Sequence, residues 1–412
     1  SKGGGYARWA GLEHYRVDWG AAGERIMSAQ LPGTRFQNVE LFFQPALCYS
    51  LIARGALGVR VVDASAYDGA TLIIQSAQDR LHVATLLNSR LASYFARLMA
   101  QDIKFRGGYV EQIPRTLHAL APSRAVADCI VWLKRQELAA HIVEASFAVG
   151  SVRQSQDLEA LLRHSLEGLL ESRVFDAYGV DEQSQQAVIE ETGMPVGWQP
   201  LVVGYDVLPS QQTGLTVLEE LMTFLGAHPH RIAGPDDLVR HKTRLRALFE
   251  AGPGMSMTED EGGPQQDGDE GGEVTVAGSY LPIPAETYLE ELSQKLQIHP
   301  ISVYWLLQEI RAEGARCKPE EQRLLEDRLS VLVLRLLGYR WPKQIEAGEP
   351  VPEWADRDGI IPLLAGSGEA PLAERLRERL RAEDGALRAQ QAEALLAELT
   401  GRSLEEWLRR DF

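Results

Sequence analysis

The chain has 412 residues, with 42 Lys+Arg against 58 Asp+Glu, a formal net charge of −16 and 45% hydrophobic residues. That length and composition fit a globular protein of two or three domains, and the acidic total argues against a generic, charge-driven nucleic-acid binder. Cys48, Cys129 and Cys317 stand far apart with no C-x-x-C pair, which speaks against a disulfide framework or a structural zinc site and for a reducing, cytoplasmic compartment.

Residues 1–117 read as mixed α/β. Short β-type runs fall at His14–Asp18, Val59–Asp63 and Thr71–Gln75, each rich in Val, Ile, Leu or Tyr and flanked by Gly, Asp or Ser. One helix is predicted over 78–98, because Val83, Leu87, Leu91, Tyr94 and Leu98 recur at spacings of three and four and Asp79 sits in the first turn. Lys104-Phe105-Arg106-Gly107-Gly108-Tyr109 then breaks the pattern and is predicted to be a loop. Helices are expected at 125–147, 156–175, 182–191, 215–225 and 236–249. The stretch 252–278 interrupts them: its centre, 255–273, holds seven acidic residues and no basic one among Gly and Pro, the composition of a disordered linker. Helices resume at 285–296, 300–313, 319–337, 371–383, 387–399 and 404–410. The expected architecture is therefore α+β and predominantly α: an N-terminal domain over 1–117, a helical region over 118–251, a linker over 252–278 and a C-terminal helical domain over 279–412.

Charge is not spread evenly along this order. Residues 1–117 carry 13 Lys+Arg and 9 Asp+Glu, a net of +4, leaving 29 and 49 for the remainder, a net of −20. Binding responds to the local field rather than the chain total, so an anionic ligand belongs on the first segment.

Several stretches of that segment form a familiar order. Lys2-Gly3-Gly4-Gly5-Tyr6-Ala7-Arg8-Trp9 precedes Tyr15-Arg16-Val17-Asp18-Trp19, then Asn38-Val39-Glu40-Leu41-Phe42-Phe43, then Thr85-Leu86-Leu87-Asn88-Ser89-Arg90-Leu91-Ala92-Ser93-Tyr94-Phe95, then Lys104–Val110 leading into Ile113-Pro114. This order resembles the target-recognition region of large adenine-specific DNA methyltransferases. The PglX-like enzymes of BREX phage defence are the nearest type, with relatives in DISARM systems, type IIG restriction enzymes and type I specificity subunits. Val174–Val180, with its Asp-Ala-Tyr-Gly step, the stretch 288–309 and the ending 403–412 are also similar to later parts of that family.

The resemblance implies duplex DNA as partner, with other defence-system subunits or phage inhibitor proteins as further ones; no membrane partner is expected, since no stretch reaches the roughly eighteen uninterrupted apolar residues needed to span a bilayer. It implies S-adenosylmethionine as the methyl donor and adenine N6 as the acceptor. The family's Asn/Asp-Pro-Pro-Tyr/Phe loop is absent, since the sequence holds no Pro-Pro pair, and the Gly3–Gly5 run does not follow a strand in a βαβ unit. Together with a first residue that is not Met, this leads to the expectation that the catalytic domain and its cofactor lie upstream of Ser1. No catalytic residue, cofactor site or metal site is assigned within the chain.

The candidate DNA contacts are Lys2, Arg8, Lys104 and Arg106 as cations, Gly3, Gly4, Gly107 and Gly108 as points where backbone approaches phosphate, and Tyr6 and Tyr109 as stacking or loop-supporting rings. Trp9 and Trp19 read as core anchors, Asn88 as a structural residue, and the 86–98 face as core. A Gly-rich loop flanked by Arg is, taken in isolation, more often an exposed turn than a site. His228, His230 and His241 read as surface residues, and Arg375–Arg381 with Glu374 and Glu378 as a solvated helix face with internal ion pairs. The pair of helices around His299-Pro300 reads as an intramolecular packing pair rather than a groove-reading motif. The competing hypothesis is a non-enzymatic helical scaffold of a defence complex that touches no DNA, favoured by the −20 remainder. An independent enzyme has no constellation to support it.

Overall fold

The computed structural model describes residues 6–13, 23, 27–28, 38–49, 56–67, 71–74, 76–99, 105–116, 118–148, 157–210, 215–252, 285–338 and 370–411. The predicted strand at 14–18 and the linker from 253 onward lie outside them. The fold is α+β and predominantly α. Its described residues fall into two compact units, one within Ser1–Phe147, Gln156–Ile232 and Gln297–Ser302, the other within Ala233–Leu296 and Val303–Phe412. Position 117/118, proposed from sequence as a boundary, falls inside the first unit.

The first unit is built on a three-stranded antiparallel sheet of β1 (Ala46–Tyr49), β2 (Val59–Val62) and β3 (Thr71–Ile73), with β1 in the centre. Tyr49 faces Val59 and Cys48 faces both Arg60 and Thr71. All four residues of β1 are buried. A strand buried on both faces has no alternation to betray it, which is why the sequence reading missed the central strand.

Helix α1 (Ala77–Leu87) starts at Ser76, whose hydroxyl accepts from the Asp79 amide at 3.2 Å. The single helix expected over 78–98 is in fact two. α1 stops at Asn88 and α2 (Arg90–Met99) begins afresh, with Ser89 Oγ accepting from the Ala92 amide at 3.1 Å. The expected loop at 104–109 also differs. From Arg106 onward the chain turns into the short helix α3 (Gly107–Val110), because Phe105, Val110 and Ile113 are buried and pin both ends of the turn to the core.

Helix α4 (Arg124–Leu138) ends nine residues before the predicted limit, and the chain beyond it turns so that Glu144 receives the amides of Leu12 and Glu13 at 3.0 and 3.1 Å. Helix α5 (Asp157–Tyr178) runs through the centre of the unit, packing on α1 and α4. It is capped where the Val180 amide reaches back to Phe175 O at 3.0 Å. Helix α6 (Glu182–Thr192) follows from an Asp181 cap. A 3-10 turn at Val196–Trp198 approaches α5 so closely that a Cβ on Gly168 would lie 2.6 Å from Gly197 O. The parallel pair β4 (Leu201–Val202) and β5 (His230–Arg231) flanks α7 (Leu218–Ala227). His299 is fully buried in this unit, its amide bonded to Pro200 O at 2.9 Å.

The second unit is helical among its described residues. α8 (Pro235–Ala251) and α9 (Ala285–Leu296) meet at a stacked Phe249–Tyr288 pair, centroids 6.5 Å apart. Beyond α10 (Pro300–Ala312), α11 (Lys318–Leu336), α12 (Leu372–Asp384), α13 (Ala386–Thr400) and α14 (Leu404–Asp411) share a core centred on Leu332, Leu376, Leu396 and Trp407. Two sequence expectations need correction. Arg379 does pair within its own helix, with Glu383 at 2.8 Å, but Arg377 pairs with Glu393 on α13 and Glu405 on α14 instead of with Glu374 or Glu378, and Arg328 on α11 reaches Glu383 at 2.6 Å. His228 and His241 are buried, not surface residues; only His230 is exposed, 3.3 Å from Asp206.

Candidate nucleic-acid interface

The two stretches that open and continue the familiar order meet on a single residue of β2. The Trp9 amide donates to Val59 O at 2.7 Å and the Val61 amide to Trp9 O at 2.9 Å, so the Tyr6–Trp9 segment pairs with the strand. Asn88 completes the arrangement. Its Oδ1 accepts from Val59 N at 2.8 Å and its Nδ2 donates to Val59 O at 3.0 Å. A primary amide reproduces the donor–acceptor pair of a backbone unit, so Asn88 acts as a one-residue extension of the sheet from the knuckle between α1 and α2. Ser93 ties the same corner, accepting from Leu57 N at 3.0 Å.

Two later stretches of the order also meet. Tyr178, in the Asp-Ala-Tyr-Gly step at the end of α5, donates its hydroxyl to the carbonyl of Pro114, and its ring lies 6.5 Å from Phe95 on α2. The Ile113-Pro114 end of α3 is thus held against α5.

Beneath the opening segment lies a ladder of buried charge. Arg8 meets Glu167 at 2.8 Å, Glu167 meets Arg163 at 2.9 Å, Arg163 meets Glu137 at 2.8 Å and Glu137 meets Lys134 at 3.4 Å. Burial raises the Glu167 carboxyl, but the guanidiniums of Arg8 and Arg163 outweigh it and hold it well below the usual range. One turn along α5, Glu171 accepts from the Arg90 amide at 2.7 Å. Burial pushes it up to about 7 against the opposing pull of Arg90 and Arg8. Arg8, Trp9, Asn88, Ser89, Glu167 and Glu171 line a cavity of about 20 Å³, the size of a single water site.

The sequence-derived contact residues are therefore distributed as follows. Arg8 is turned inward, its side chain only 12% exposed, and is engaged by Glu167. Tyr6 is 46% exposed, though its ring passes over Gly58. Arg106 and Gly108 are exposed, while Gly107 and Tyr109 are half-buried. Lys2, Gly3, Gly4 and Lys104 lie outside the described residues. Trp9 is buried, in keeping with an anchor. A Cβ on Gly108 would meet nothing within 4 Å, and one on Gly107 would meet only the Tyr49 hydroxyl at 3.5 Å. Glycine inside a helical turn costs about 1 kcal/mol relative to alanine, and neither crowding nor a positive φ requires it at these two positions.

Glu137, Arg163, Glu167 and Glu171 were missed by the sequence reading. Their signal was three charged residues of a predicted helix at spacings of four, which reads equally as a solvated stripe. The chain matches no family model and no curated protein sequence.

Proposed function

We propose that this chain supplies DNA target recognition to a PglX-like, S-adenosylmethionine-dependent adenine-N6 methyltransferase of a phage-defence system, with methyl transfer performed by a catalytic domain outside these residues. The observation that carries the reading is the convergence of the resembling stretches: those around residues 9 and 88 both bond Val59 of β2, and those around 95, 114 and 178 join at Tyr178. Stretches spread over some 170 residues thus behave as one unit, as a shared architecture requires. The bare surface at Gly107–Gly108, beside exposed Arg106, supports close approach of a backbone or phosphate. A methyltransferase that flips adenine from the stack needs such a lobe to hold and read the duplex.

In this reading the first segment, net +4, faces DNA and the acidic remainder limits non-specific adhesion. Binding of duplex DNA weakens steeply between about 50 and 200 mM salt. The double substitution Lys104→Glu/Arg106→Glu abolishes most of that binding; equal affinity of wild type and double variant in a mobility-shift titration refutes the site. A second reading, a scaffold that binds protein partners only, draws on the engagement of Arg8 by Glu167, which removes one cation from the DNA-facing set. The absence of any shift at about 50 mM salt, with a protein partner retained in a pull-down, decides for it.

A further inference from the structure

Arg8 was the natural choice for a phosphate contact, yet its guanidinium is bound from below by a buried carboxylate. We propose that Glu167 is a positioning residue: through Arg8 it holds the Tyr6–Trp9 segment along β2, so that the exposed Tyr6 is presented to DNA at a fixed place. This rests on the DNA-reading proposal above and adds a residue, and a changed role for Arg8, to it.

The segment needs such a hold. Trp9 has φ of 70° and Leu12 of 61°, backbone conformations that bulky side chains adopt only when their surroundings over-determine them. The surroundings here are specific. Tyr6 and Ala7 cross β2 only because residue 58 is glycine: a Cβ there would sit 2.9 Å from both Ala7 O and the Tyr6 ring. Trp9 is paired on both sides with β2, at 2.7 and 2.9 Å. Glu144 receives the amides of Leu12 and Glu13 at 3.0 and 3.1 Å. Arg8 is the side-chain anchor between these points, 2.8 Å from Glu167. Glu167 is itself fixed by Arg163, and Arg163 by Glu137, at 2.9 and 2.8 Å. The anchor therefore runs through α5 into α4 rather than ending at one flexible side chain. A guanidinium satisfied in this way is not a counter-ion for phosphate.

The two roles for Arg8 give opposite signs. If Arg8 contacts phosphate, Glu167→Gln releases it and leaves duplex binding unchanged or tighter. Arg8→Gln then lowers the slope of log affinity against log salt by about 1. If Glu167 positions the segment, both substitutions weaken binding of a mixed-sequence duplex by a similar factor, on the order of tenfold. The double variant then loses no more than either single one, and the salt slope is unchanged.

Hydrogen exchange supplies the independent readout. The amides of Trp9 and Val61 exchange faster in both variants, whereas Lys104→Glu/Arg106→Glu weakens binding with no change there. Glu167→Gln leaves buried arginines short of a partner, so Gly58→Ala serves as a second variant that displaces the crossing without touching the charge ladder. Its binding must weaken likewise. Wild-type binding with either Glu167→Gln or a folded Gly58→Ala unaffected overturns the positioning role alone. No duplex binding by the wild type at about 50 mM salt overturns the DNA reading instead.

Discussion

Replacing Asn88 by alanine removes two hydrogen bonds at once from a buried corner. Asn88 is 7% exposed and Val59 0%. Val59 O retains the Trp9 amide at 2.7 Å, so its loss is one ordinary hydrogen bond, about 0.5–1.5 kcal/mol. Val59 N, by contrast, loses its acceptor at 2.8 Å and becomes a buried, unsatisfied donor, which costs about 1–3 kcal/mol. The expected destabilisation of the first unit is therefore about 1.5–4.5 kcal/mol. Because a chain with two units need not unfold in one step, the assay of choice is hydrogen exchange at Val59 itself, where each 1.4 kcal/mol corresponds to roughly a tenfold rise in rate. Ser89→Ala is the control: it removes the cap on the Ala92 amide, at 3.1 Å, and costs about 1 kcal/mol without singling out Val59. Asn88→Ala with unchanged exchange at Val59, or a loss under about 0.5 kcal/mol, refutes the view that this side chain completes the sheet.

Other expectations follow from the same geometry. Burial raises Glu171 to about 7 from an ordinary 4.5, so the folded protein holds this proton more tightly than the unfolded chain. The carboxylate's cost is then absent below pH 4.5 and fully present above pH 7. Glu171→Gln should stabilise the first unit at pH 8 by on the order of 1–3 kcal/mol and do nothing at pH 4; denaturant titrations at the two pH values that show equal effects contradict this. Gly168→Ala places a Cβ 2.6 Å from Gly197 O, and thermal unfolding should show a loss of at least about 1–3 kcal/mol from forced displacement of the 3-10 turn. Gly108→Ala adds a Cβ that meets nothing within 4 Å, so it should leave stability unchanged or raise it by up to about 1 kcal/mol. In a DNA titration the same variant should bind more weakly; unaltered affinity removes Gly108 from the interface.

Helices in this protein were legible because their signal is local. The limits of α8, α9, α10, α12 and α13 fall within one or two residues of those read from apolar spacing, caps and prolines, since each needs only neighbours three and four residues away. The errors arose where a distant partner decides. Asn88 and Ser89 lie in an unbroken apolar repeat, and only Val59, some thirty residues earlier, draws the Asn side chain out and ends the helix there. Lys104–Tyr109 holds two glycines and reads as a loop, but the burial of Phe105 and Val110 folds its second half into a helical turn.

What the sequence alone determined is the predominantly helical α+β class, the segregation of positive charge into residues 1–117 and the order of stretches on which a DNA-reading role was expected. What only the tertiary structure decided is which of those residues face outward. Arg8 and Arg106 are equivalent in the sequence, each a cation beside small residues. One is drawn inward by Glu167, a carboxylate about 160 positions away, and the other is left at the surface. The energy that separates them is the desolvation of a buried ion pair against its attraction, and that balance depends on distance and burial, quantities that exist only once α5 has been laid beneath the Tyr6–Trp9 segment.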